Sequence, residues 1–298
     1  MRKFIKKVTL TVSVSSLAIM TVYMGMFISS FRLTGLAGEV FHVIKKAGRN
    51  SGLSAVILGD SVCNQLWHQK EDSPNLVHLA CNQAITPAGT YLLLKRYLEH
   101  NPQTQEVFYM ICPQNLGNDL NLDYTYQYFV IPFFEGENVK LLDKDTTQKV
   151  YDRFGKFFAD NGYIKSLLLN NNLLMEKYIA HVNSKPEREY LRRLSPTTAI
   201  YLPKILELCA EHNAKLSVLP LPIPDTPENH DWADFRQDVA AFGFDEVLGD
   251  FTEKIHHYPA DWFRDGVHFK PEILEQHLGE LRSAVMHKNS PARLRTGD

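Results

Sequence analysis

Two short stretches of this chain carry residue types that do chemistry together. Near the front, Gly59-Asp60-Ser61 follows the apolar run Ser54-Ala-Val-Ile-Leu58; near the back, Asp265-Gly-Val-His268 stands just before the last helical pattern. A serine hydroxyl becomes a nucleophile when an imidazole takes its proton, and an aspartate beside the imidazole fixes its tautomer and stabilises the imidazolium. Ser61, His268 and Asp265 are therefore candidate nucleophile, base and orienting acid for acyl transfer. Each stretch has a plainer meaning by itself. Gly-Asp-Ser also describes a strand end followed by a capped helix, and Asp-x-x-His also describes a surface turn. The pair, one after the first strand and one before the last helix, argues for a site.

A nucleophile belongs at the carboxyl end of a parallel strand, where open α/β sheets place their sites. A helix starting just after it turns free N–H groups and a partial positive charge toward the reaction. The hydropathy pattern supplies such a sheet. It predicts strands at Ser54–Leu58, Leu76–Ala80, Glu106–Cys112, Lys215–Leu219 and a short last one at Glu246–Leu248. Helices are predicted at Val62–His68, Ala88–His100, Ala199–His212, Trp232–Phe242 and Pro271–Met286, with proline in the first turn of the last. Repeated β–α units of this kind predict an α/β fold, a flavodoxin-like three-layer α/β/α sandwich around a mostly parallel five-stranded sheet.

The alternation lapses at about 117–195, too long for an ordinary connection. That region reads as a largely helical insertion, with helices near Thr146–Asn161 and Ile164–Ile179 and an aromatic patch from Tyr124 and Tyr126 to Phe134. The patch either fills the core of the insertion or offers Tyr124 and Tyr126 to a substrate. Trp232 and Trp262, near the His268 loop, have the same two readings.

The paired motifs resemble the SGNH (GDSL) hydrolase family, in which the aspartate and histidine stand three apart. The Gly-x-Ser-x-Gly elbow of α/β-hydrolases is absent, since Cys63 follows where its second glycine would be. The resemblance implies an oxyanion hole built from the Ser61 amide, a backbone amide after the second strand and an asparagine after the third. The second block reads Asn82-Gln83-Ala84, so Ala84 stands where the family has glycine, with Gly89 as the fallback. The third reads Cys112-Pro113-Gln-Asn115-Leu116; Asn115 falls on the asparagine of the family, ahead of Asn118 in a later Gly-Asn-Asp. Pro113 and Leu116 replace the glycine and aspartate of that block.

The N-terminus adds a location. Arg2, Lys3, Lys6 and Lys7 precede the uncharged stretch Val8–Phe31, longer than the roughly 20 residues that span a hydrocarbon core. The basic flank predicts a cytoplasmic N-terminus and an extracytoplasmic remainder, as a single-pass protein of the cytoplasmic membrane; a cleaved signal peptide is the rival. The expected layout is a basic stub and transmembrane helix at 1–31, a connector at 32–52, the α/β domain at 53–286 and a polar tail at 287–298.

A net charge of -2 gives no global basic field for nucleic acid. No cofactor motif appears, and the adjacent His256-His257 has no carboxylate spacing to suggest a metal. Cys63, Cys81, Cys112 and Cys209 match no zinc spacing; they either pair as disulfides in an exported domain or serve as small buried hydrophobes. An anchored SGNH domain with degenerate second and third blocks resembles the partners of membrane-bound O-acyltransferases. That implies transfer of an acyl group, acetyl above all, from a donor to an envelope or secreted glycan. Hydrolysis by the same triad, as an esterase or deacetylase, and a non-catalytic scaffold stay open at this point.

Overall fold

Short runs of apolar and β-branched residues pair into one parallel sheet. In the computed structural model, which describes residues 6–7, 10–22, 37–122, 124–169, 171–182 and 192–287, the strands are Ala55–Gly59 (β1), Leu76–His78 (β2), Glu106–Ile111 (β3) and Lys215–Pro220 (β4). Their order is β2-β1-β3-β4, every pair parallel. Side chains alternate between the two faces. Val56, Leu58, Val107, Tyr109 and Val218 face a core built with helices Gly38–Ala47 (α1), Thr86–His100 (α3) and Pro196–Glu211 (α4). Ile57, Met110 and Leu219 face a smaller core built with helices Ser61–Leu66 (α2) and Pro271–His287 (α6). Helices on both faces bury both, which is why these strands read as continuous apolar runs.

Among the described residues this sheet has four strands, not the five expected. Glu246–Leu248 belongs to a short helix, Asp245–Leu248, closed by bonds from the Leu248 amide to Phe244 O (2.8 Å) and the Gly249 amide to Asp245 O (3.0 Å). Asp245 and Glu246 favour the positive end of a helix, and that preference outweighs the β propensity of one valine. His257–Tyr258 (β6) pairs in parallel with Ile223–Pro224 (β5), just past β4 in the chain, as a separate two-stranded sheet. Two-residue strands carry no periodicity to read. Trp232, at 3% exposure, packs edge-on against Phe235 of helix Ala233–Phe242 (α5) and is core.

The insertion contains helices and no strand among its described residues, from a π-helical turn at Tyr126–Val130 to Asn172–Val182. Its two expected long helices are each broken in the middle, the first at Gly155, between Lys144–Phe154 and Lys156–Asp160. Phe129, Phe133, Phe134, Val150 and Phe154 join the same core as β1 and β3, so the aromatic patch is chiefly packing. Gly89 serves this contact. It lies inside α3, where a Cβ would meet Ile85 Cβ at 2.9 Å and the Phe133 ring at 3.3 Å. Asp119, from the literal Gly-Asn-Asp, ties the insertion down through Lys149 Nζ (2.8 Å) and the Thr197 hydroxyl.

Residues 10–22 are helical. Among the described residues no helix is long and apolar enough to cross a membrane; the expected span Val8–Phe31 lies partly outside them, as does the tail from residue 288. All four cysteines are free and buried, so they pack as small hydrophobes.

Candidate active site

The site begins with the turn from β1 into α2. Gly59 is required there because a Cβ would sit 2.3 Å from Met110 O and 2.5 Å from Cys63 Cβ. Gly59→Ala must push β1 from β3 or lift α2, and is expected to cost about 1–3 kcal/mol as overpacking does; a lower urea midpoint with an unchanged slope is the measurement. Asp60 then caps α2. Its Oδ1 accepts from the amides of Val62 (3.0 Å) and Cys63 (3.1 Å). Its Oδ2 accepts from the Cys112 amide and from Asn115 Nδ2, both at 2.7 Å. This fully buried carboxylate thus stitches the ends of β1 and β3 together. Burial pushes its pKa up, against the pull of those four donors. Ser61 follows as the first residue of α2. Among the described residues its amide makes no hydrogen bond, so it is free to donate to a developing oxyanion.

His268 arrives from the other end of the chain. Its Nε2 lies 2.8 Å from Ser61 Oγ, and its Nδ1 lies 3.0 and 3.1 Å from the two oxygens of Asp265. The Asp265 carboxylate also accepts the His268 amide (3.0 Å) and Arg264 Nη2 (3.1 Å). The turn between them needs Gly266, whose φ of 83° is in the left-handed region. A side chain not singled out by sequence, Gln65, clamps the loop to α2. Its amide exchanges two bonds with the Phe269 backbone, Nε2 to O at 3.2 Å and N to Oε1 at 3.0 Å. One turn beyond Ser61 on the same helix, Gln65 sets the height of His268 over the nucleophile.

Burial pulls the Asp265 carboxyl up, but the His268 amide and imidazole, with Arg264, outweigh it and hold the pKa at about 2. A depressed acid stabilises the fold above its unfolded pKa and loses that contribution as pH falls through the folded one. Wild type and Asp265→Asn should therefore converge in melting temperature as pH drops from about 4 toward 2, and a difference constant across that window would contradict the ion pair.

The oxyanion hole differs from expectation at one position. The Ala84 amide donates to Asn82 Oδ1 at 2.9 Å, the cap of the turn Gln83–Ile85, and is not directed at the serine. Asparagine two residues before an amide captures it as an Asx turn does, so Ala84 is withdrawn as an oxyanion donor. Gly89, its fallback, is committed to helix and packing as described above. What this loop brings to the nucleophile is the Gln83 side chain, whose Oε1 lies 2.8 Å from Ser61 Oγ. The serine has one proton. If Gln83 accepts it, His268 Nε2 faces a lone pair and must itself be protonated; with the Gln83 amide turned over, its NH2 donates to Oγ and the hydroxyl proton points to neutral His268. The second arrangement is the reactive one. Gln83→Ala is expected to lower the acylation rate by roughly three- to tenfold, the worth of one neutral hydrogen bond, in single-turnover measurements; no change would remove Gln83 from the site. Asn115 stands in the turn that follows β3. One Nδ2 hydrogen goes to Asp60 and the other remains to donate, while Asn118 Nδ2 fixes the orientation by bonding Asn115 Oδ1 at 3.0 Å.

The aromatic candidates separate. Tyr126 is fully buried, with its hydroxyl bonded to Phe158 O (2.9 Å) and its ring against Phe154 and Tyr178, and cannot meet a substrate. Tyr124 is 51% exposed and stands edge-on to Tyr128. Trp262 stacks against Tyr258 (5.2 Å) and His277 (4.5 Å), so it chiefly joins β6 to α6. A further acid, Glu39 of α1, reaches the edge of the site. Burial raises its pKa, opposed by the Asn82 amide and by the field of His268.

No protein-family model matches the chain, and no curated protein matches it. Among solved structures it is similar to one provisionally described as a platelet activating factor from Streptococcus pneumonia. The identity is 10% and the TM-score 0.32, over 86% of this chain and 99% of that one. A likeness this loose adds no weight to the geometry.

Proposed function

We propose that the chain is a membrane-anchored serine acyltransferase of the SGNH type, acting outside the cytoplasm on an envelope or secreted glycan. The observation that carries the reading is the unbroken chain from Ser61 Oγ through His268 to Asp265, at 2.8 and 3.0 Å, beside a free helix N-terminal amide and the Asn115 amide. In the reaction, His268 Nε2 takes the Ser61 proton as Oγ bonds to the acyl carbon of the donor. The carbonyl pair moves onto oxygen, where the Ser61 amide and Asn115 stabilise it. Collapse breaks the bond to the leaving group, which receives the proton from His268. A sugar hydroxyl then repeats the sequence in reverse and leaves acylated.

The anchor is supported by the helix at 10–22, where Leu10, Leu17, Ile19 and Met20 are each 64–67% exposed. A multi-pass membrane acyltransferase is the natural donor-side partner. Hydrolysis is the second reading, and one observation favours it: the Asp265 and His268 side chains are 43% and 19% exposed, so water reaches the triad unless an acceptor covers it.

The test is intact-mass analysis of the full chain in detergent during turnover of an activated acetyl ester, followed by peptide mapping. Acetyl on Ser61, discharged faster by an oligosaccharide that becomes acetylated, supports transfer. Acetyl on Ser61 that water clears at once, with no sugar product, supports an esterase. No adduct with several donors leaves a scaffold.

A further inference from the structure

A cavity of about 620 Å³ lies along α1, lined by none of the triad residues and not used by the acyl-transfer chemistry. One wall is α1, which contributes Glu39, His42, Lys45 and Arg49; the opposite wall is the end of α2 and the segment after it, with Asn64 and Lys70. Asn64 is three residues past Ser61 on the same helix, so the two Cα atoms are only about 5 Å apart and share a face. Glu39 touches both regions, lining the cavity and taking the Asn82 amide next to Gln83. The cavity is therefore a continuation of the catalytic surface.

Its charge is mostly positive, with Glu39, whose pKa burial raises, the one lining carboxylate besides Asp72. Lys46 is spent on structure, with its ammonium bonded to Gln69 O, Asp72 Oδ1 and His78 O at 2.7, 2.6 and 3.0 Å. Asp72 is thereby neutralised. Lys45, Arg49 and Lys70 have no carboxylate partner among the described residues. They crowd His42, whose pKa is pushed down by burial and then by Lys46, Lys70, Arg49 and Lys45. The three are exposed, so water and salt screen their mutual repulsion only in part, and an anionic ligand would relieve the rest. The three are single charges spread over a wide cavity, an arrangement suited to charges repeated along a chain more than to one compact ion. Asn64 adds a polar group for hydroxyls: its Oδ1 accepts the Gln69 amide at 3.0 Å, which leaves its NH2 to donate.

We infer that this cavity is an acceptor subsite that holds an acidic glycan segment, with Lys45, Arg49 and Lys70 on its carboxylate or phosphate groups, so that a neighbouring sugar hydroxyl reaches Ser61. The inference rests on the acyl-transfer reading for its purpose, while the binding it predicts is separable.

The experiment uses the full chain in neutral detergent and compares binding of an oligogalacturonate, a glycerol-phosphate oligomer and a neutral cello-oligosaccharide. An acidic oligomer is expected to bind roughly tenfold or more tighter than the neutral one, with an affinity that falls as salt rises. Arg49→Glu/Lys70→Glu should abolish the preference while Ser61 still acetylates from a small activated ester, which also reports that the variant is folded. The oligomer that binds identifies the acid as carboxylate or phosphate. If Ser61 never acetylates but acidic binding still needs Arg49 and Lys70, the subsite stands and the acyl-transfer reading falls. Equal affinity for acidic and neutral oligomers overturns the inference, as does unchanged acidic binding in the variant. Binding only of phosphatidylglycerol added to the micelles overturns it too, in favour of a lipid surface.

Discussion

Ser61→Ala is expected to lower kcat on an activated ester by on the order of 10⁶-fold, His268→Ala by a similar factor, and the double variant by no more than either alone. The reason is that the two groups make one event. The hydroxyl is a nucleophile only as His268 Nε2, 2.8 Å away, removes its proton, so loss of either removes the covalent route and leaves only the oxyanion donors. Asp265→Asn is expected to cost less, about 10⁴-fold. An asparagine NH2 facing His268 Nδ1 forces the ring proton onto Nε2, where it blocks the serine. The fold survives this change, because the Gln65 clamp on Phe269 holds the loop independently of the aspartate. Burst kinetics with a chromogenic acetate separate the outcomes. Multiplicative losses in the double variant, or a loss under tenfold in either single one, would mean that the hydroxyl and the imidazole do not act as a unit.

The triad was legible in sequence because its parts lie at element boundaries that leave local marks. Gly59 is forced by the approach of Met110 O, Asp60 is a helix cap, and Gly266 occupies a left-handed turn. The four main strands were legible because helices cover both faces and make them continuously apolar. What lay hidden depends on side chains meeting across the fold. Nothing local marks Gln65 as the clamp of a loop at the far end of the chain, or Gln83 as the group on Ser61 Oγ. Ala84 misled for a related reason. The position fits the family pattern, but the direction of its amide is decided by Asn82, whose side chain takes it. A signal for that was present, since asparagine two residues ahead of an amide is an Asx-turn pattern. Tyr124 and Tyr126 show the same limit: they are two residues apart, one in the turn that leads into the helix of the other, and only packing decides that one is exposed and the other enclosed. The expected fifth strand failed because three residues, Glu246–Leu248, are too few to show a period, and they form a helical turn.

Asp60→Ala is expected to be the most destabilising single change near the site, at roughly 3–5 kcal/mol. It orphans the amides of Val62, Cys63 and Cys112 and Asn115 Nδ2. Each buried donor left unpaired costs about 1–3 kcal/mol, and water entering the vacated space recovers part of the sum. Asp60→Asn divides the two roles of the residue. Its Oδ1 keeps the cap on Val62 and Cys63, so most of the fold is retained. Its NH2 then meets the Cys112 amide and Asn115 Nδ2, donor against donor, and Asn115 loses the bond that aims it at the oxyanion. Asp60→Asn should therefore cost less stability than Asp60→Ala, roughly 1–3 kcal/mol, yet lose about 10²-fold in kcat, the worth of one oxyanion donor. Chemical denaturation beside single-turnover acetylation reads the two effects separately. Because Asp60 touches neither the acyl group nor His268, a fall in activity of the folded protein would have to travel through Asn115, and Asn115→Ala should then show the same loss with no further loss when the two changes are combined. Additive losses would mean that the buried carboxylate acts on Ser61 through the start of α2 and that Asn115 is not the group it positions.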